Sequence, residues 1–360
     1  TQTGCSPSCP SGRIRRSKPR LQKPLQQNIM TPEQLHQQLN RLLEHGIRRS
    51  VMIWGPPGIG KSSIVAGVAE ARDIQLTDLR LSQLAPTDLR GLPVASGETA
   101  RWLPPEFLPR EGKGILFLDE LNLAPPAIQA IAQQLILDRR VGSYTVPDGW
   151  VIWSAGNRRE DRASVHQMPA PLANRFLHFE VEADFGSFRQ SALSGGIHEQ
   201  ILAFIAFRPE LLHHYDANHS AWPSPRTWEM ASEIHTIGSS IAPAVGSAAA
   251  LEFDSFLEVY DTLPDLGQIL GGQGKGIVFP KEPSQRYALT LGLGSRALEP
   301  ESIGHAFSWL VRQDKPERCQ VFIHAVYAKA QSNGQLGQLA GILVSEPRLK
   351  PFLKHLLQAA

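Results

Sequence analysis

The sequence predicts an α/β fold, a parallel sheet covered by helices and followed by an α-helical lid and a C-terminal helical region. Three observations carry this. Short apolar runs such as Ser50-Val51-Met52-Ile53-Trp54, Gly114-Ile115-Leu116-Phe117-Leu118 and Val151-Ile152-Trp153-Ser154-Ala155 suit strands buried on both faces. Helical segments alternate with them. From about residue 185 the strand signal fades and helical periodicity dominates.

Residues 31–45 read as a helix, with Leu35, Leu39, Leu42 and Leu43 at helical spacing and Gly46 as the stop. Thr31-Pro32 opens it, with Gln34 placed to reach back to the cap. After the strand at 50–54, Gly55-Pro56-Pro57-Gly58-Ile59-Gly60-Lys61-Ser62 fits G-x-x-x-x-G-K-[ST] without a mismatch, and residues 63–70 continue as a helix. A strand, a glycine-rich turn and a helix N-terminus make a phosphate cradle. Backbone N–H groups point inward and the helix dipole favours an anion. The candidate nucleotide-binding set is therefore Gly55, Pro56, Pro57, Gly58, Ile59, Gly60, Lys61, Ser62 and Ser63. Lys61 would meet the β- and γ-phosphates, and Ser62 would hold Mg2+.

Residues 74–81 alternate and read as a second strand, and 82–110 read as irregular, with Trp102-Leu103-Pro104-Pro105 near the end. The third strand ends in Asp119-Glu120, 58 residues after Lys61. A buried parallel strand delivers its carboxyl end to the ligand crevice. Asp119 is thus a candidate Mg2+ ligand beside Ser62, and Glu120 the candidate general base for an attacking water. Residues 125–137 form an amphipathic helix, and Arg140–Trp150 has the Asp148-Gly149 and β-branched content of a hairpin. The strand at 151–155 runs into Gly156-Asn157, where Asn157 could orient water or feel the γ-phosphate. Before the fifth strand, at 177–181, stands Arg175, a candidate to stabilise transition-state charge; Arg158 and Arg159 compete for that role. Ser224-Pro225-Arg226 opens a later helix, from which Arg226 could reach a phosphate and couple the helical part to nucleotide state. The candidate catalytic set is Glu120, Asn157, Arg175 and Arg226.

Composition bounds the rest. A chain of 360 residues, 42% hydrophobic and 19% charged, suits a soluble globular protein of two domains. Cys5, Cys9 and Cys319 make no disulfide framework and no metal cluster. The longest uncharged stretch of the C-terminal half, 236–251, is too rich in Ser, Gly, Ala and Pro for a membrane span, and a cytoplasmic location is expected. Residues 1–29 carry Arg13, Arg15, Arg16, Lys18, Arg20 and Lys23 and no acid. They read as a disordered basic tail, a translated leader or an artefact, with the native start expected at or near Met30. Without these six cationic residues the net charge of +2 becomes −4, so the folded part gives no hint of nucleic-acid binding.

With these residues in place the chain resembles the AAA+ ATPases, and within them the MoxR-like family, over roughly residues 31–240. The matching segments are Gly55–Ser62 as Walker A, Leu116–Glu120 as Walker B, Asn157 as sensor 1, Asn174-Arg175-Phe176 as the arginine-finger segment and Ser224-Pro225-Arg226 as sensor 2. Residues 84–91 resemble the segment these proteins carry before Walker B, where that clade holds a helix-2 insert; Arg140–Trp150 falls at its pre-sensor hairpin. The resemblance implies an AAA+ core at 30–184, a lid at 185–240 and a C-terminal region at 241–360 that lacks assignable motifs. It further implies a homo-hexameric ring with ATP between subunits, Arg175 acting on the neighbour's nucleotide, and insert and hairpin facing the pore. A von Willebrand factor A-domain protein and a protein client that is remodelled or matured are the implied partners. ATP over GTP rests on the resemblance alone, since Walker A does not read the base. Two alternatives stay open. One is a nucleic-acid-dependent motor, for which Arg139, Arg140 and Tyr144 offer little basic or aromatic surface; the other is a GTP-using module.

Overall fold

The computed structural model describes residues 1, 29–158, 161, 166–216, 218–260, 262–297, 299–313, 319, 321–323 and 325–327. Residues 2–28 of the basic tail, with Cys5 and Cys9, and also Arg159, lie outside the described residues; Ile29, read as the end of that tail, instead belongs to a strand, paired in the sheet with Glu180.

Ten strands are described: β1 (Ile29–Met30), β2 (Ser50–Trp54), β3 (Gln75–Arg80), β4 (Leu92–Ser96), β5 (Thr99–Leu103), β6 (Gly114–Asp119), β7 (Arg140–Val141), β8 (Tyr144–Thr145), β9 (Trp150–Gly156) and β10 (Phe176–Val181). Six of them form one sheet in the order β1-β10-β2-β9-β6-β3, with every pair parallel. The predicted parallel sheet covered by helices is therefore the observed one. Edge strand β1 escapes sequence reading, because two residues carry no periodicity.

The helices flanking the sheet are α1 (Pro32–Glu44), α2 (Lys61–Ala71), α3 (Pro86–Arg90), α4 (Pro126–Asp138) and the single turn α5 (Ala170–Ala173). α1 starts where its sequence predicts. Thr31 Oγ1 accepts from Gln34 N at 3.2 Å, and Gln34 Oε1 accepts from Thr31 N at 3.0 Å. Successive strand residues point to opposite faces, so each strand feeds two cores. Val51, Ile53, Ile115, Phe117, Val151 and Trp153 pack with α1 and α2. Met52, Leu116, Leu118, Trp150 and Ile152 pack with α4 on the other face.

Two local expectations need correction. Residues 82–110 are not irregular: α3 is followed by the antiparallel hairpin β4–β5, in which Ser96 opposes Thr99 across Gly97-Glu98. Gly97 at φ 62° closes that turn, and Gly91 at φ 88° lies where a Cβ would come 2.1 Å from the Leu103 carbonyl oxygen. Pro93 inside β4 masks the strand, since proline is tolerated only where no ladder bond is needed. In the second hairpin the turn is not Asp148-Gly149. β7 and β8 reverse around Gly142-Ser143, with Gly142 at φ 56°. Pro147–Trp150 is a separate turn into β9, closed by Trp150 N donating to Pro147 O at 3.0 Å.

Beyond β10 the described chain is helical: α6 (Phe185–Gly195), α7 (Glu199–Phe207), α8 (Pro225–Thr236), α9 (Ala242–Val245), α10 (Ser247–Tyr260), α11 (Leu266–Leu270), α12 (Pro283–Arg296) and α13 (Pro300–Val311). Phe204 is the hub of one core, with its ring 5.7 Å from Trp228, 5.4 Å from Phe253 and 5.5 Å from Phe256. That core runs from Phe188 through Tyr260 to Leu291, so α10 and α12 share it with α7 and α8. A further cluster joins Leu266, Ile269, Ile303, Phe307, Trp309 and Phe322.

Candidate active site

The glycine-rich turn leaves the carboxyl end of β2, which lies between β10 and β9. Gly58 at φ 81° and Gly60 at φ 85° supply the left-handed backbone the turn requires. Gly60 caps α2 without any side-chain bond, so the first-turn N–H groups of that helix stay open to an anion. A Cβ on Gly55 would lie 2.6 Å from Val181 O, and one on Gly58 would lie 2.8 Å from Ser224 Oγ. The loop is therefore gripped between the end of β10 and the segment that opens α8.

Lys61 is 9% exposed. Its Nζ donates to Gly55 O (2.8 Å), Pro56 O (3.0 Å) and Asn157 Oδ1 (3.0 Å), all of them neutral acceptors. Burial lowers its pKa from 10.5 to about 8, against the opposing pull of Asp119 and Asp161. An ammonium held this way below pH 8 costs on the order of 3 kcal/mol of stability. Because the folded pKa lies below the unfolded one, that cost is relieved as pH rises from about 8 to 10.5.

Across the cleft, Ser62 Oγ donates to Asp119 Oδ2 at 2.6 Å. A hydroxyl and a carboxylate at the same point are the hard oxygen donors Mg2+ prefers, and Mg2+ keeps water and phosphate oxygens for its other positions. The residues present thus fit that ion without a cluster of acids, and none is found among the described residues. Glu120 takes φ 56°, an uncommon backbone for a residue with a side chain. Its N–H is tied to Asp119 Oδ1 at 2.8 Å, and its carboxylate accepts from the Ser82 hydroxyl. Asn157, 9% exposed, stands at the end of β9 against Lys61. Asp78, on the neighbouring strand β3, has its carboxyl pushed up by burial and by the charges of Asp119 and Glu120.

The helical part rests directly on the glycine-rich loop. Arg226 N donates to Gly58 O at 3.2 Å, and His213 Nε2 lies 3.1 Å from Pro57 O. Gly58, Gly60, Ser63, Asp184, Arg226 and Glu229 are among the residues lining a cleft of about 280 Å3 beside the loop. Arg226 therefore belongs to the cleft wall. Ser82, Asn122 and His213 also touch this constellation, and the sequence reading assigned them no role there; Ser224, read only as part of the segment opening the helix of Arg226, lies against Gly58. Single polar residues in loops carry no pattern that marks them.

Arg175 is not brought to this site. It is exposed and precedes β10, whose first residue, Phe176, pairs with Ser50 at the start of β2. Val181 at the far end of β10 touches the loop, so Arg175 is roughly 20 Å away by strand rise. Arg158 is beside the site but engaged. Its guanidinium donates to Glu180 (2.9 Å), Glu182 (2.8 Å) and Asp161 (3.2 Å).

Residues 50–176 match the family model described as the AAA domain, dynein-related subfamily. Over this segment the fold is that of an AAA+ P-loop NTPase, a parallel sheet covered by helices with the glycine-rich loop after β2. The matched segment holds the glycine-rich loop, Asp119, Glu120, Asn157 and Arg175 and ends before the helical part. Midasin of Giardia intestinalis is 31% identical over 145 residues, which cover 38% of this chain and 3% of Midasin. The chain thus aligns with only a small fraction of that relative's length. Among solved structures, NtrX of Brucella abortus overlaps at 17% identity and a TM-score of 0.38, covering 86% of this chain and 68% of NtrX. RuvB of Thermotoga maritima, a Holliday junction branch migration motor, overlaps at 14% identity and a TM-score of 0.37, covering 78% of this chain and 86% of RuvB. Both are loose superpositions. Among the described residues no helix is long and apolar enough to cross a membrane.

Proposed function

We propose that the protein is a MoxR-like AAA+ ATPase that hydrolyses ATP within a cytoplasmic homo-hexameric ring to remodel or mature a client protein, together with a von Willebrand factor A-domain partner. The observation that carries the ATPase core is the convergence of Ser62 and Asp119, 2.6 Å apart, beside a buried Lys61 and an uncapped helix N-terminus. ATP, the client and the A-domain partner rest on the sequence resemblance.

Each of the chain's groups then has one task. The open N–H groups of α2 and Lys61 hold the β- and γ-phosphates, and Lys61 exchanges its loop carbonyls for phosphate oxygens. Ser62 and Asp119 hold Mg2+, which when bound offsets phosphate charge. Glu120, fixed by its backbone and by Ser82, takes the proton of the attacking water. Asn157 orients that water or the γ-phosphate. Arg226 and the cleft beside it report nucleotide state to the helical part.

The reading is tested on the full chain with ATP and Mg2+. Wild-type protein binds ATP and releases phosphate, whereas Lys61→Ala loses at least tenfold in affinity, as measured with a fluorescent ATP analogue. No nucleotide affinity in the wild type, or an unchanged Kd in Lys61→Ala, overturns it. The lowered Lys61 pKa adds a pH signature. Bound phosphate favours the ammonium, so binding takes up a proton wherever the free lysine is neutral. Affinity therefore weakens above about pH 8, approaching tenfold per pH unit, and stays nearly flat between pH 6 and 7.5 as far as this group is concerned. Titration calorimetry in buffers of different ionisation enthalpy reads the same proton directly.

A further inference from the structure

Asn122 lies two residues beyond Glu120 in a loop, and nothing in its sequence context marks it. It is 3% exposed. β6 leaves the ladder with β9 after Leu118↔Ser154, yet the two chains stay joined. Leu121 N donates to Ala155 O at 3.0 Å. The Asn122 side chain then closes a two-bond ring on the backbone of Asn157. Its Nδ2 donates to Asn157 O at 2.7 Å, and its Oδ1 accepts from Asn157 N at 3.1 Å. The side-chain amide thus acts as one more peptide rung, at the point where the sheet ends and the site begins.

Gly156 is shaped to this amide. A Cβ there would lie 2.3 Å from Asn122 Oδ1 and 2.7 Å from Met52 Cε. With the backbone of Asn157 fixed on both sides, its own Oδ1 is held 3.0 Å from Lys61 Nζ. The Asn122 carbonyl in turn accepts from His166 N at 2.7 Å, which anchors the segment leading into α5 and Arg175. Asn122 therefore joins the turn bearing Glu120, the residue facing Lys61, and the start of the chain that ends in Arg175.

We propose that Asn122 is a positioning residue for the hydrolytic step, setting Asn157 and Glu120 in fixed relation to each other; this rests on the ATPase reading above. Asn122 makes no hydrogen bond of its own to the glycine-rich loop or to a cleft-lining residue and reaches Lys61 only through Asn157, while Lys61 keeps its bonds to Gly55 O and Pro56 O, so phosphate binding should depend on it far less than turnover does. Removing it leaves the buried N–H and C=O of Asn157 unpartnered and lets that segment relax. Misplacement by about 1 Å in such a site costs on the order of 100-fold in rate.

The test uses the full chain, MgATP turnover and a fluorescent ATP analogue for binding. Asn122→Ala should lower kcat about 10- to 100-fold while Kd for the analogue stays within about threefold of wild type. Asn122→Asp keeps the acceptor for Asn157 N but turns a carboxylate on Asn157 O, so it should also be slow at pH 8. Protonation of that carboxyl restores a donor, and the ratio of kcat for Asn122→Asp over Asn122→Ala should climb as pH falls towards 5. A uniform loss in which kcat and affinity drop by the same factor, or an Asn122→Ala kcat within about twofold of wild type, overturns the proposal. Should Asn122→Ala not fold, the Asn122→Asp pH series decides alone, and a flat ratio of its kcat to that of wild type between pH 5 and 8 counts against it. Wild type that binds the analogue without turnover overturns the ATPase reading itself, which separates the two failures.

Discussion

Replacing Glu120 by Gln leaves ATP bound and cuts phosphate release by about 10²–10⁴-fold. Gln keeps the shape of the side chain and can still accept from Ser82, so the left-handed turn at φ 56° and the tie from its N–H to Asp119 survive. Only proton acceptance is lost. Affinity for a fluorescent ATP analogue should match wild type, and the variant should trap nucleotide long enough to be recovered with it on a sizing column. Turnover within about threefold of wild type would remove Glu120 from the role of base. Ser82→Ala should then be the milder companion, since it frees the carboxylate without deleting it.

Arg175→Ala should lose roughly 10³–10⁵ in turnover with binding intact, the magnitude associated with an arginine supplied to a transferring phosphoryl group. The reason lies in the sheet. All six strands are parallel, so their carboxyl ends share one edge and their amino ends the other. The glycine-rich loop follows β2 on the first edge; Arg175 precedes β10 on the second. A gap of roughly 20 Å exceeds any side chain's reach, so Arg175 can serve only a phosphate held by another copy. Two consequences can be measured. Specific activity should rise with protein concentration as subunits associate. Mixing Glu120→Gln with Arg175→Ala, each inactive alone, should recover activity, because an intact loop and base on one copy can meet an intact Arg175 on the next. Full activity of Arg175→Ala alone, or a mixture as dead as its parts, would end the trans-acting role. Arg158, tied to three carboxylates, does not stand free in the same way.

Much of the sheet was legible in the chain because burial on both faces writes a continuous apolar run, as in Ile115-Leu116-Phe117-Leu118. Chemistry at strand ends was legible for a related reason. A phosphate cradle needs glycines and a lysine at fixed spacing, and a buried strand ending in Asp119-Glu120 has one exposed end at which to offer its acids. The hairpins were harder. Pro93 hid β4, and the reversal at Gly142-Ser143 was obscured by the stronger turn signal of Asp148-Gly149.

Local sequence by itself determined the long buried strands of the sheet and the helices α1, α2 and α4, where α1 begins, and which residue types could meet a triphosphate, but not β1, α3 or the β4–β5 hairpin. Only the tertiary structure decided strand order, and with it which edge each residue occupies. That order brings Lys61 and Asn157, 96 positions apart, to 3.0 Å. It sends Arg175 to the opposite edge and sets the helical part on the loop through Arg226 and His213. It also gives Asn122 its place, since a side-chain amide becomes a rung only once two strands lie side by side. Periodicity and turn chemistry act over a few neighbouring residues. Pairing between strands and the docking of a lid depend on surfaces that exist only after those pieces have packed.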